Sequence, residues 1–376
     1  MKCGGVKRSA GKAGYLVYDQ KRNWHKRNWV GKEGMVGKPI NHRIILAERP
    51  VNRSVMASDF SLDTAPIPEP GPGQVLVRGH WLSLDPYMRG RMSAAKSYAA
   101  KVQIGDVMVG EGIGEVIATN GAGPPPGTLV LAPIGWQEYA TVAADAVKPI
   151  EPGAHPPSYF LGILGMPGMT AYFALLDIGR PQPGETVVVS AAAGAVGQVV
   201  GQIAKLRGCR VIGIAGRRKK IAYLRDELNF DAVIDYRDKP AKQLAQELAE
   251  VAPDGIDVYF DNVGGVVHDA AMLTLADHAR IIICGVISTY DHLESIDFGP
   301  RWMRQLLIKR ARMEGFLISD YAARRGEFLA EMGRWLDQGL LKYREDVTEG
   351  LAEAPAAFIG MLAGRNLGKT LVRIAP

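Results

Sequence analysis

Beyond residue 184 the chain falls into a repeating rhythm, with apolar runs of strand length separated by stretches of helical periodicity. The apolar runs cover residues 187–190, 210–215, 232–234, 256–261, 280–284 and 312–318. Val187-Val188-Val189 and Ile281-Ile282-Ile283 lack the polar alternation of a half-solvated strand, so both of their faces are expected to be covered. Helices are expected after each run, ending near residues 207, 229, 251 and 276, with another near 300–309. Six such β units predict an α/β fold built on a six-stranded, doubly wound parallel sheet. Residues 40–165 read differently. Short alternating strands at 75–78, 114–118 and 128–132, bounded by Gly and Pro, predict a β-rich, barrel-like domain. The run 369–374 is expected to return to it. The expected division is a basic extension over 1–38, a β-rich domain over 39–165 plus about 320–376, and an α/β domain over 166–319.

Charge changes the picture at one end only. The net charge is +6, but residues 1–38 hold ten Lys/Arg against Asp19 and Glu33, which leaves the remainder at −2. A nucleic-acid-binding body is therefore not expected, and the tail reads as a disordered extension without the apolar core of a secretory leader. Residues 186–204 and 152–176 lack charge, but polar residues and glycines break the first and prolines the second, so neither reads as a membrane span. Cys3, Cys209 and Cys284 show no paired spacing, which suits a reducing, cytoplasmic setting.

Chemistry enters with the turn Ala191-Ala192-Ala193-Gly194-Ala195-Val196-Gly197, which follows the first strand of the series and opens a helix. Glycines there allow a tight bend and let the helix N-terminus meet a pyrophosphate, the Rossmann arrangement. A carboxylate about 20 residues further on would grip a ribose 2′-hydroxyl. This chain instead has Arg217-Arg218-Lys219-Lys220, with no acid before Asp226, so a 2′-phosphate and hence NADPH is expected.

Several strings then carry a resemblance. They are Leu84-Asp85-Pro86-Tyr87-Met88-Arg89-Gly90, Gly135-Trp136-Gln137-Glu138-Tyr139, the glycine turn through Gly201, Phe260-Asp261-Asn262-Val263-Gly264-Gly265, Cys284-Gly285-Val286-Ile287-Ser288-Thr289-Tyr290, and Asn366-Leu367-Gly368-Lys369-Thr370. With these the chain, from about residue 41 onward, resembles the zinc-independent medium-chain dehydrogenases/reductases. Within them it is similar to the prostaglandin reductase/leukotriene B4 12-hydroxydehydrogenase group, which includes bacterial curcumin reductases and plant double-bond reductases. The resemblance implies a GroES-like first domain and a homodimer paired through the sixth strand. It places Gly194, Ala195, Val196 and Gly197 at the pyrophosphate, and Lys220 and Tyr236 at the 2′-phosphate. Asn262 and the residues from Cys284 through Gly285, Val286, Ile287, Ser288 and Thr289 to Tyr290 come at the nicotinamide, and Phe316, Leu317, Ile318 and Asn366 complete the pocket. Arg217 and Arg218 are added on charge alone.

Zinc relatives place Cys and His ligands in the first domain. Here residues 40–165 contain no Cys and only the scattered His42, His80 and His155, and Gly110-Glu111-Gly112 stands where Gly-His-Glu would be, so no metal is expected. The resemblance implies NADPH-dependent reduction of the double bond of an enal or enone, which without a metal needs hydrogen-bond donors for the enolate oxygen, and the family's pattern points to Tyr290, with Tyr87 second, as the catalytic candidates. Met166, Met169 and Trp136 are candidates for an apolar cleft wall, and His268, His278 and His292 read as structural, without charge partners. The expected partner is a small apolar enal or enone. A secondary-alcohol dehydrogenase, a quinone reductase and a non-catalytic NADPH sensor stand as the alternatives.

Overall fold

The computed structural model describes residues 40–374 except 152 and 297; the segment 1–38, expected as a disordered extension, lies outside the described residues. In chain order the elements are β1 (Ile40–Leu46), β2 (Phe60–Pro66), β3 (Gln74–Ser83), α1 (Tyr87–Met92), β4 (Gly112–Asn120), β5 (Leu129–Ala132), β6 (Tyr139–Ala143), β7 (Lys148–Pro149) and α2 (Met166–Phe173). Then follow β8 (Thr186–Ser190), α3 (Gly197–Leu206), β9 (Arg210–Ala215), α4 (Arg218–Ala222), β10 (Ala232–Asp235), α5 (Ala241–Val251), β11 (Ile256–Asp261), α6 (Gly265–Met272), β12 (Leu275–Ile283), α7 (Met303–Lys309) and β13 (Arg312–Gly315). The chain ends with α8 (Arg325–Asp337), β14 (Glu345–Glu349), α9 (Ala354–Leu362) and β15 (Lys369–Arg373).

Strands β8 to β13 form one six-stranded sheet in the order β10-β9-β8-β11-β12-β13, and every neighbouring pair is parallel. This is the doubly wound arrangement, and its apolar runs have a physical cause. Val187 and Val189 pack into one buried layer and Val188 into the opposite one; Ile282 and Ile281 divide in the same way. The first part of the chain builds a second sheet in the order β14-β15-β3-β4-β5-β7, with β6 also on β3. Strand β15 joins it antiparallel to β3, with Leu371 opposite Ser83, so the chain end does return there.

Several details depart from the sequence pattern. Helix α6 stops at Met272, and β12 begins at Leu275, which pairs with Ile256; the strand accommodates His278 at a positive φ of 61°. Strand β13 ends at Gly315, and Phe316, Leu317 and Ile318 leave the sheet. Trp136 is wholly buried and stacks on Phe60 with ring centroids 5.4 Å apart, so it is core and not cleft wall. Helix α8, beyond residue 320, sets Phe328 and Met332 into the same buried cluster as Phe173 and Val258. No described helix is long and apolar enough to cross a membrane.

Candidate active site

The order of the parallel sheet reverses between β8 and β11, and a crevice opens at the carboxyl ends of strands at such a point. The turn after β8 fills one side of it. Ala191 adopts a positive φ of 47°, and α3 then starts without a side-chain cap; Gln198 N and Val199 N are bonded to Gly194 O and Val196 O, and the positive end of the helix faces the crevice, where it favours an anion. A side chain at Gly197 would put its Cβ 2.5 Å from the Ala191 oxygen, and one at Gly201 would meet the Phe230 ring at 2.0 Å. Both glycines are required for α3 to lie this close. From the other sheet, Gly368 N donates to Ala193 O at 2.9 Å, so the two sheets meet at the turn.

A cleft of about 1260 Å³ runs from this turn between the sheets. Of the residues proposed from sequence, Tyr87, Gly194, Ala195, Val196, Gly197, Arg217, Lys220, Tyr236, Asn262, Cys284, Gly285, Ile287, Tyr290, Phe316, Leu317, Ile318 and Asn366 all line it. Arg218, Val286, Ser288 and Thr289 do not. Ser288 Oγ and Thr289 Oγ1 instead donate to the backbone oxygens of Val263 (2.6 Å) and Val286 (2.9 Å), which shapes the segment that carries Tyr290.

At the α4 end, Arg217, Lys220 and Arg237 line the wall. Arg237 is paired with Asp235, but among the described residues no carboxylate lies within 4 Å of Arg217 or Lys220. Burial, and then the charge of Arg217, push the Lys220 ammonium down to about 8. Desolvated like charges without a counterion form a seat for a dianion, and a 2′-phosphate fits this end of the cleft.

Behind the β11 end lies a buried carboxylate. Asp261 accepts hydrogen bonds from Ser190 Oγ (3.0 Å), Tyr259 OH (2.9 Å), Val263 N (2.9 Å), Gly264 N (3.0 Å) and His268 Nδ1 (2.8 Å). Burial pushes this carboxyl up, but the bonds from His268 and the backbone outweigh it and hold it below the usual range. Read from sequence as lacking a charge partner, His268 does have one; seven residues separate it from Asp261, and only the strand-to-helix turn brings them together. Asn262 is tied to the same hub, its N and Nδ2 donating to Ser190 Oγ and Ser190 O at 2.8 Å each.

The opposite end of the cleft is walled by Met166, Met169, Val109 and Ile134, with the phenols of Tyr87, Tyr98 and Tyr290. Burial, then Tyr98 and Cys284, raise the Tyr290 phenol to about 12. Burial, then Asp85 and Glu111, raise that of Tyr87 further. Both therefore remain hydrogen-bond donors at any ordinary pH. The Cys284 thiol, pushed up by burial to about 12, stays protonated beside them.

Residues 42–150 match the family described as the N-terminal domain of oxidoreductase, and residues 195–335 match that described as zinc-binding dehydrogenase. The chain is 46% identical to the NADPH-dependent curcumin reductase of Escherichia coli, over 90% of this chain and 98% of the relative. It is 40% identical to prostaglandin reductase 1 of Bos taurus, over 93% and 99% respectively. The crystal structure of CurA from Vibrio vulnificus in complex with NADPH superposes with a TM-score of 0.83 at 50% identity, covering 89% of this chain and 99% of that one. The chain belongs to the medium-chain dehydrogenase/reductase family, in the group of the curcumin and prostaglandin reductases.

In this reductase the cleft also gathers residues that the sequence reading passed over. Among the described residues no group of three or more His, Cys, Asp or Glu is placed to hold a metal ion. Glu111 lines the cleft, as do Lys148 from β7 and Arg325 from α8. Burial raises the Glu111 carboxyl, and the nearby Lys148 and Arg325 only partly offset this. Arg237 had a legible signal, since it follows β10 at the carboxyl edge of the sheet. Glu111 was read from sequence only as a departure from a zinc motif, and Lys148 and Arg325 had no signal, because they come from distant elements.

Proposed function

We propose that this cleft reduces the carbon–carbon double bond of α,β-unsaturated aldehydes and ketones with NADPH. The observation that carries the reading is that one cleft joins Lys220 and Arg217, with no carboxylate within 4 Å among the described residues, to the protonated phenols of Tyr87 and Tyr290 beside Met166 and Met169. NADPH, when bound, supplies the hydride for the β-carbon of the substrate. The capless start of α3 holds the pyrophosphate, and Lys220 with Arg217 holds the 2′-phosphate. Tyr290 donates a hydrogen bond to the carbonyl oxygen as enolate charge develops, and Tyr87 orients the substrate from α1. The apolar wall excludes water. In the same reading, residues 39–165 and about 320–376 shape the substrate side, and 166–319 the cofactor side.

The test is NADPH oxidation at 340 nm against an alkenal, an aryl enone, a simple ketone and a quinone, with product analysis. Saturated carbonyl products from the enal and enone are expected, and Tyr290→Phe should lower kcat/KM by about one to two orders of magnitude. Because its phenol is held near 12, the contribution of Tyr290 should not fall off between about pH 6 and 10. Turnover of the ketone or quinone alone would overturn the double-bond assignment.

A homodimer fits the same reading. Strand β13 is one of the two edges of the six-stranded sheet and all four of its residues are exposed, as are Met303 and Leu307 of α7. An open edge next to apolar surface invites pairing with a second copy. Light scattering should give twice the chain mass of 40.7 kDa, and Leu307→Glu with Met303→Glu should halve it. A parent chain that elutes as a monomer would sink the dimer.

A further inference from the structure

We propose that Glu294, with Asp291 and Ser295, forms a clasp that positions the Tyr290 segment against the helix carrying Tyr87; this rests on reading the cleft as the cofactor and substrate site. The segment needs such a device. Ile287–His292 forms a 3-10 turn whose residues are half-buried or exposed and belong to none of the apolar core clusters, so core packing does not hold it in place. Its start is fixed to its own sheet, where Ser288 N and Oγ both donate to Val263 O, at 3.0 and 2.6 Å.

Its far end crosses to the other lobe. Ser54 Oγ donates to Asp291 Oδ2 at 2.5 Å, and Ser295 Oγ donates to Asn52 Oδ1 at 3.0 Å. Glu294 Oε1 accepts from both Ser93 Oγ (3.1 Å) and Ala94 N (3.2 Å). These partners lie 200 or more residues away in sequence, so the contacts exist only in the folded chain.

The receiving groups follow α1 directly or are held by it. Ser93 caps the C-terminus of α1, its N donating to Gly90 O, and Ala94 is the next residue. The stretch bearing Asn52 and Ser54 is pinned by Arg89 of α1, whose Nη2 donates to Pro50 O (2.8 Å) and Arg53 O (3.2 Å). The Arg89 side chain is wholly buried, and its Nε and Nη1 have no other partner among the described residues, so these two carbonyls are its anchorage. Arg53 is itself locked to the buried Asp59 through two bonds of 2.9 and 2.6 Å. A continuous path therefore runs from Tyr87 through α1 and the clasp to Tyr290, and both phenols line the cleft. Glu294 is a positioning residue in this scheme, since it lines no part of the cleft itself. A few exposed hydrogen bonds give a closed state that is favoured yet opens readily, as exchange of cofactor requires.

The full-length protein carries the test. Glu294→Ala is expected to speed NADPH dissociation about tenfold in stopped-flow fluorescence and to raise amide exchange over residues 287–295 of the cofactor-free protein. Glu294→Gln keeps the Oε1 acceptor and should stay within about twofold of the parent. Ser54→Ala should move both readouts in the same direction as Glu294→Ala. Unchanged dissociation and exchange in Glu294→Ala overturn the clasp, and so does an equal loss in the alanine and glutamine variants. Neither measurement uses an enone, so failure to turn over enones would sink the proposed reaction and leave the clasp standing. Failure to bind NADPH would sink the cofactor assignment, with amide exchange still deciding the clasp.

Discussion

Alanine at Lys220 will weaken NADPH binding about 10- to 100-fold and leave NADH binding where it was, the range expected for one charge-assisted bond to a phosphate. The contrast follows from the lack, among the described residues, of any carboxylate within 4 Å of this ammonium, for which a bound 2′-phosphate would be the counterion. A pH dependence follows too. Burial first, and Arg217 second, lower the Lys220 ammonium to about 8, so the free enzyme loses this charge as pH rises through that value. A bound phosphate dianion favours the charged form and raises the group again. NADPH affinity is therefore full below about pH 8 and falls above it by up to about tenfold per pH unit, with one proton taken up on binding. The NADH curve stays flat over the same range. Arg217→Ala supplies an internal control, since it removes a phosphate contact but also a repelling charge. NADPH affinity should drop while the midpoint of its pH profile moves upward. Titration of cofactor fluorescence between about pH 6 and 10 measures all three, and parallel NADPH and NADH profiles would sink the assignment of this end of the cleft.

How much of this was legible in the sequence depended on how local its causes were. The parallel sheet was readable because burial on both faces forces the continuous runs of β8 and β12, and the glycine turn because α3 cannot approach with side chains at residues 197 and 201. Strand β14 reads Glu-Asp-Val-Thr-Glu and lies at a sheet edge, so it has no apolar signature. Helix α1 hides a wholly buried arginine among its six residues, a pattern that argues against a packed helix until the carbonyls receiving Arg89 are known. The residues proposed from family strings divide by what their side chains touch: Tyr290 and Asn262 line the cleft, whereas Ser288 and Thr289 hold the backbone beneath it. A string identifies a segment, and only the fold says which member of it faces the ligand. His268 and Asp261 illustrate the opposite case, a contact of 2.8 Å that no spacing rule announces.

Two of those strings meet in the interior. Lys369, from Asn366-Leu367-Gly368-Lys369-Thr370, donates to Asp85 Oδ1 at 2.6 Å and to Leu84 O at 2.8 Å, both from Leu84-Asp85-Pro86-Tyr87-Met88-Arg89-Gly90. The two side chains are 1% and 5% exposed, and Ser83 Oγ donates to the other Asp85 oxygen. Removing one member of such a pair leaves an uncompensated buried charge. Lys369→Met or Asp85→Ala should therefore each cost about 3–5 kcal/mol of stability. The melting temperature should fall by roughly 6–15 °C at the sensitivity expected of large domains. The double variant Asp85→Asn with Lys369→Met removes both charges and should recover much of that loss, because the desolvation of the pair disappears with its attraction. Function should follow stability at this position for two reasons. Lys369 directly follows Gly368, whose N–H holds the Ala193 carbonyl in the phosphate turn, and Asp85 is, after burial, the main influence raising the Tyr87 phenol. Loss of the pair thus loosens the turn proposed to hold the pyrophosphate and also alters the Tyr87 phenol, so NADPH affinity and kcat/KM should decline in the single variants and rise again in the double one. If the double variant melted no higher than the singles, the two strings would be tied together by packing and not by this pair.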